Sequence, residues 1–255
     1  MNRKFLIGLL CLFLGAYSAS ASAFDDANRQ FNSGDFAAAT SAYEKILTTE
    51  GPRAAVYYNL GNSYQSLKKL GPAILAYERA RMITPRDPDL SANLVLARKA
   101  AAAFDESGLN PNLEAFINYL SRNEWSWLVA GAALFLGGLA FICGMVKLPL
   151  RFRLFVFVST GVALFAISAG AAALYLRRDE DRRGIILTEN APVLLSPFEK
   201  AESLGSAGQG RVVHLGAENG GFRYVEVLGA NLHGWLASKE VSKIMLHPED
   251  YGSRQ

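Results

Sequence analysis

Apolar and polar positions divide the chain into regimes of different period. Over residues 24–104 the apolar side chains fall in short blocks, interrupted at Gly34-Asp35 and Gly71-Pro72 and halted at Pro85. That pattern predicts antiparallel helices joined by tight turns. Trp127 to Val146 and Leu154 to Leu176 then run for 20 and 23 residues without a formal charge. At about 1.5 Å per residue they give roughly 30 and 35 Å of helix, enough to cross the hydrocarbon of a bilayer. Further on the runs shorten to Gly184–Leu187, Ala191–Leu195, Arg211–Leu215, Phe222–Leu228 and Gly234–Ala237, with turns such as Asn219-Gly220 between them. These read as the strands of a small barrel over residues 184–244, followed by a tail over 245–255.

Residues 1–23 read as an export leader. Arg3 and Lys4 form a short positive region, and Phe5 to Leu14 form an apolar run too short for a comfortable span. Ala19-Ser20-Ala21 and Ala21-Ser22-Ala23 offer small-x-small cleavage motifs, so Phe24 is the expected mature N-terminus; the competing reading is an uncleaved anchor. Gly8-Leu9-Leu10 before Cys11 is a poor lipoprotein box. With the leader removed, Cys143 is the one cysteine left, and neither an intrachain disulfide nor a cysteine metal cluster is expected.

Laid over itself at an offset of 34, the first helical region repeats: Ala27, Ala39 and Tyr43 fall on Gly61, Ala73 and Tyr77, and Asn59 and Leu60 fall on Asn93 and Leu94. The run Tyr57, Leu60, Gly61, Tyr64, Ala73, Tyr77, Ala80, Pro85 resembles the tetratricopeptide repeat (TPR) pattern. Gly61 and Ala73 are small where two helices approach, and Tyr64 and Tyr77 fill the space between repeats. Two helix pairs and a capping helix from about Asp87 to Phe104 make an all-α solenoid. The resemblance implies that Asn28, Tyr58, Asn59, Asn62, Gln65 and Asn93 face a concave groove. Since an amide carries both donors and an acceptor, such a row suits the backbone of an extended peptide. The alternative is that these amides satisfy helix ends and contacts between repeats.

Residues 105–126 form a linker. Asp105-Glu106-Ser107-Gly108 and Asn110-Pro111-Asn112 break the helix, after which Leu113, Phe116, Ile117 and Leu120 recur at helical spacing. Two readings stand: an amphipathic helix near a membrane, and a linker helix packed on the repeats.

The apolar runs 127–146 and 154–176 are read as a two-helix transmembrane hairpin with a cytoplasmic loop over 147–153. Trp125, Trp127 and Tyr175 suit the interface, and Lys147, Arg151 and Arg153 lie between the runs without an acidic neighbour. Arg177, Arg178, Arg182 and Arg183 oppose this orientation by count, but the exported N-terminus and the even number of spans favour it. The expected location is a bacterial inner membrane with both terminal parts periplasmic. Neither run contains an ionisable group, so transport or proton relay by this chain alone is not expected. Ala133 with Gly137, Ala140 with Gly144 and Ala166 with Gly170 either pack the hairpin on itself or meet another membrane protein.

Charge and chemistry narrow the function further. The net charge of +3 spreads as +2 over 1–23, −1 over 24–126, +3 over 127–176 and −1 over 177–255, so no soluble segment has the cationic excess a nucleic acid requires. Gly205, Gly208 and Gly210 lack a following Gly-Lys-Ser/Thr and read as a hairpin turn. His214, His233 and His247 lack metal spacing, no Gly-x-Ser-x-Gly is present, and Asp25-Asp26 and Glu249-Asp250 sit at chain ends. No catalytic residue, metal or cofactor is expected.

Val193-Leu194, Ser196-Pro197, Val212-Val213, Gly220-Gly221-Phe222 to Val225, and Gly234-Trp235-Leu236 with Val241 resemble bacterial SH3-like domains, with Leu236 in place of Val and Phe222 in place of Trp. That resemblance implies peptide or cell-wall recognition at Phe222, Tyr224 and Trp235, with a core position as the other reading of Trp235. The order of leader, tetratricopeptide repeats, two-span hairpin and SH3-like barrel resembles the BatE type of the Bacteroides aerotolerance (Bat) family. It implies a non-enzymatic envelope scaffold in stress or oxygen tolerance. Its partners would be other Bat membrane proteins carrying von Willebrand factor A domains and a MoxR-type ATPase. The rival expectation is a peptidoglycan binder or sensor acting through the barrel.

Overall fold

The turn at Gly34-Asp35 shows how tightly the helices are joined. Gly34 takes a φ of +84°, and the Asp35 carboxylate accepts the Ala38 N–H at 3.0 Å to cap the next helix. The computed structural model describes residues 23–103, 110–145 and 149–245. The expected leader except Ala23, the first part of the expected loop at 147–148, and the tail from 246 onward lie outside the described residues. The described residues form two compact units, one from the segments before 104 and after 180 and the other from those between 110 and 180.

In the first unit, α1 (residues 23–32), α2 (Phe36–Glu50), α3 (Ala54–Ser66), α4 (Leu70–Ile83) and α5 (Pro88–Ala100) form successive antiparallel pairs and a final helix. Asp87 caps α5 by accepting the Asp89 and Leu90 N–H groups at 3.0 and 3.1 Å, and Pro88 occupies the first turn, where its missing N–H costs nothing. Tyr43, Val56, Ala73, Ile74, Tyr77 and Leu90 are fully or almost fully buried between the helices. A Cβ at Gly61 would lie 2.5 Å from the Tyr77 ring, so the small residue in the repeat pattern is what lets α3 and α4 close up.

The same unit contains a curled antiparallel sheet of β1 (Arg183–Ile186), β2 (Asn190–Leu194), β3 (Ser203–Gly208), β4 (Val212–Asn219), β5 (Phe222–Val227), β6 (Leu232–Ala237) and β7 (Val241–Lys243), in the order β3-β2-β6-β5-β4-β1-β7. Ile186, Val193, Val213, Val225, Val227 and Leu236 fill its inner face. Gly205 and Gly208 are strand residues of β3 paired with β2, and Gly210 alone stands in the turn that follows. The strand was hidden because Ser, Gly and Ala give it no apolar alternation.

The repeats and the sheet share one core. Ile185, Val212 and Ile244 pack with the buried residues of the helices. Gly71 approaches the Leu187 carbonyl so closely that a Cβ would sit 2.5 Å from its oxygen, and Gly210 abuts Ile74. Polar contacts fasten the seam. Gln209 Oε1 accepts the Gly71 N–H at 3.2 Å, and Arg79 donates to Ser242 Oγ at 3.1 Å, Lys243 O at 2.7 Å and Ile244 O at 3.3 Å.

The second unit holds α6 (Pro111–Tyr119), α7 (Arg122–Met145) and α8 (Leu150–Leu176). The last two are long and apolar enough to cross a membrane, by length and composition. They begin earlier than the charge-free runs because helix, unlike hydropathy, continues through polar ends. Ser121 and Glu124 form a reciprocal capping box at the start of α7, with Ser121 N–H donating to Glu124 Oε2 at 2.8 Å and Glu124 N–H to Ser121 Oγ at 3.2 Å. Trp125 is buried, not spread on an interface: its indole N–H donates to Ile117 O at 2.9 Å. Of the small-residue pairs, Ala166 with Gly170 serves the hairpin, since a Cβ on Gly170 would strike Val129. Gly137 and Gly144 have open space before them.

Candidate functional site

Asn28 on α1, Tyr58, Asn59, Asn62 and Gln65 on α3, and Asn93 on α5 meet in one half-buried network. Asn59 Nδ2 and the Tyr43 hydroxyl both donate to Asn28 Oδ1, at 2.9 and 2.6 Å. One repeat later, Asn93 Nδ2 and the Tyr77 hydroxyl both donate to Asn62 Oδ1, at 3.1 and 2.7 Å. Asn93 Nδ2 also donates to the Tyr58 hydroxyl at 3.0 Å, and Gln65 Oε1 stands 2.9 Å from the Tyr77 hydroxyl, where it shares the one proton with Asn62. Tyr77 was legible as a packing residue and Tyr43 as its equivalent in the repeat; that their hydroxyls orient the amides was not. The signal was present, because each tyrosine follows its asparagine by the same 15 positions.

This internal bonding decides which end of each amide stays available. Asn28 and Asn62 have committed their oxygens and retain Nδ2 donors, whereas Asn59 and Asn93 have committed their nitrogens and retain Oδ1 acceptors. None of those remaining ends has a hydrogen-bond partner among the described residues. Taken from α1 to α5, the row therefore reads donor, acceptor, donor, acceptor. Burial raises the phenol pKa of Tyr43 and of Tyr77, so both hydroxyls stay protonated and keep donating.

The second group lies on the outer side of the sheet. Tyr224 of β5 stands opposite Trp235 of β6, and their rings meet edge to face at 5.6 Å between centroids. Phe222 shares that face, two residues before Tyr224 and opposite Ala237. All three side chains are half-buried. Trp235 is thus a surface-facing ring, and the adjacent Leu236, with no exposure, is the core residue.

A third cluster joins the repeats to the sheet. Glu78 of α4 is buried, and its carboxylate accepts from Arg81 at 2.8 Å and Arg98 at 2.5 Å. Burial alone would raise its pKa, but Arg81, Arg98 and Arg183 of β1 together hold it at about 2. This cluster is structural in kind: a buried anion compensated from three elements.

Among the described residues no group of three or more His, Cys, Asp or Glu side chains is placed to hold a metal ion. Cys143 is exposed and free.

Comparison with known proteins agrees with the helical architecture. No curated protein matches the chain. The family model of the tetratricopeptide repeat matches residues 54–87, which span α3, the following turn, α4 and the cap of α5. Tetratricopeptide repeats are generally non-catalytic and mediate protein–protein interactions; of the amide row, Asn59 and Asn62 lie within the matched stretch and Asn28 and Asn93 lie outside it.

Proposed function

We propose that this chain is a non-enzymatic, membrane-anchored scaffold that holds partner proteins through its repeats and its sheet. The sheet is taken as an SH3-like domain. The α7–α8 hairpin is the anchor, spanning a bacterial inner membrane twice with both flanking segments periplasmic. The flanks of that hairpin belong to one folded body fastened by Arg79, Gln209 and the shared core, which favours an even number of crossings. By the resemblance to the Bat family, the partners are membrane proteins with von Willebrand factor A domains.

The observation that carries this reading is the donor–acceptor alternation of Asn28, Asn59, Asn62 and Asn93. An extended peptide presents carbonyl oxygens and N–H groups in alternation, and a row of pre-oriented amides complements them without regard to side-chain charge. A photoreactive residue at exposed Ala55, one helical turn before Asn59, tests it in intact cells. A crosslink to a von Willebrand-type membrane protein, lost in the folded Asn59→Ala/Asn62→Ala variant, is expected. Crosslinking that the double substitution leaves unchanged overturns the groove.

A second reading rests on the outward Tyr224–Trp235 pair with Phe222. Aromatic faces of this kind suit cell-wall stem peptides or sugars. Binding of the detergent-solubilised full chain to purified sacculi, abolished by Trp235→Ala and untouched by the asparagine substitutions, would shift the function to a peptidoglycan sensor.

A further inference from the structure

The short helix α6 has an unexpected anchorage. Its last carbonyls are taken by the hairpin: Trp125 Nε1 donates to Ile117 O at 2.9 Å, and Arg177 Nη1 donates to Leu120 O at 2.8 Å and Ile117 O at 3.4 Å. Arg177 is itself held by Glu180 at 2.8 Å. Trp125 lies in the first turn of α7 and Arg177 caps the end of α8, so the C-terminus of α6 is pinned at the level where the two long helices start and finish. It cannot prolong α7, because Leu120 is extended and the Ser121–Glu124 box begins a new helix after it.

At that level the side chains are those of a membrane–water boundary. Trp127 is 77% exposed, Tyr175 is 63% exposed, and the Arg178 guanidinium lies over the Tyr175 ring at 4.2 Å. On α6, Ile117 is buried, while Leu113 and Phe116 stand on the same stripe at 42% and 50% exposure, with the Phe116 ring 5.4 Å from that of Trp125. The apolar stripe of α6 therefore stands at the level where the exposed apolar surface of the hairpin ends. We infer that α6 is an interfacial helix, seated by Arg177 and Trp125 at the end of the hairpin, whose Leu113 and Phe116 dip into the headgroup–acyl boundary of the lipid bilayer. The occupant of this face is lipid, because Ile117 and Leu120 are pinned to Trp125 and Arg177 at the end of the two apolar helices, the level at which exposed Trp127 and Tyr175 stand. The arrangement resembles other in-plane helices, which bury an apolar face about 5–10 Å into that boundary.

The inference rests on reading α7 and α8 as membrane spans, and the test separates the two. The full chain, with Cys11→Ser and Cys143→Ser, is reconstituted in phosphatidylcholine vesicles. It carries an environment-sensitive fluorophore at one introduced cysteine: Leu113→Cys, Phe116→Cys, Ala115→Cys on the opposite face of α6, or Leu134→Cys. Leu134, on the exposed side of α7, should be quenched most by a nitroxide near the acyl-chain end. Labels at 113 and 116 should show blue-shifted emission, loss of iodide quenching and strongest quenching by a nitroxide near the glycerol, and the label at 115 should stay open to iodide. If 134 reports lipid while 113 and 116 are as open to iodide as 115, the α6 inference is wrong and the spans stand. If 134 itself is open to iodide, the membrane reading falls and the inference with it. Should Phe116→Cys fail to fold, Leu113→Cys on the solvent-facing side of the same stripe decides alone.

Discussion

The Tyr77 hydroxyl donates to Asn62 Oδ1 at 2.7 Å, and one repeat earlier Tyr43 donates to Asn28 Oδ1 at 2.6 Å. Sequence periodicity is thus carried down to the orientation of individual amides. Both phenols are raised above their ordinary value of 10.0, with burial as the first cause. The unfolded chain releases these protons near that value while the folded chain retains them, so stability is full below about pH 10 and falls above it. Chemical denaturation followed by circular dichroism from pH 8 to 11 should show this decline, and Tyr43→Phe/Tyr77→Phe should flatten it.

Gly61→Ala places a methyl group where the Tyr77 ring already sits. The expected loss is about 1–3 kcal/mol, as for other overpacked cores. Because Tyr77 would have to move, the amide row should loosen as well, and hydrogen exchange across α3 and α4 should report that before the midpoint of unfolding does.

Glu78→Gln leaves Arg81, Arg98 and Arg183 without their common anion. Breaking a buried ionic cluster by removing one member costs about 3–5 kcal/mol. The pH dependence has a definite sign. A carboxyl lowered from 4.5 to about 2 on folding contributes stability that is complete above pH 4.5 and is lost as pH falls toward 2. Acid titration of the parent protein should show that loss, and the variant should be less stable at neutral pH yet less steep below pH 4.5.

Arg79→Ala removes three hydrogen bonds to the end of β7, and Gly71→Leu drives a side chain into the Leu187 carbonyl. Hydrogen bonds to a charged group contribute about 1.5–3 kcal/mol. Both variants should raise the susceptibility of residues 241–245 to limited proteolysis while leaving the strand pairing within the sheet protected. Equal loss of protection throughout the sheet would mean that the seam contributes to the fold of the sheet itself.

Much of this architecture was legible in the residues. The offset of 34 located both helix pairs, because a repeat packs mainly on its neighbours and so leaves a local signature. The apolar runs located α7 and α8 for the same reason: length and absence of charge are local properties. Strand β3 was not legible, since its Ser, Gly and Ala side chains report neither face. The partnership of Asn28 with Tyr43 was implicit in the equal spacings, but the seam at Gly71, Arg79, Gln209 and Gly210 had no signature. It joins positions more than a hundred residues apart through main-chain atoms, which no periodicity announces. Within the candidate site, residue types predicted which amides would gather, and only their geometry showed which atoms remain available.

The seam also sets a timetable for biogenesis. Gly71 and Gln209 are 138 positions apart, so Ile74 emerges long before the turn that shelters it has been made. At about 5–20 residues per second of synthesis the nascent helices wait roughly 7–28 s with that patch bare. The separate unit formed by α6, α7 and α8 is made during the same interval, so the helices of the repeats are complete before the strands that share their core exist.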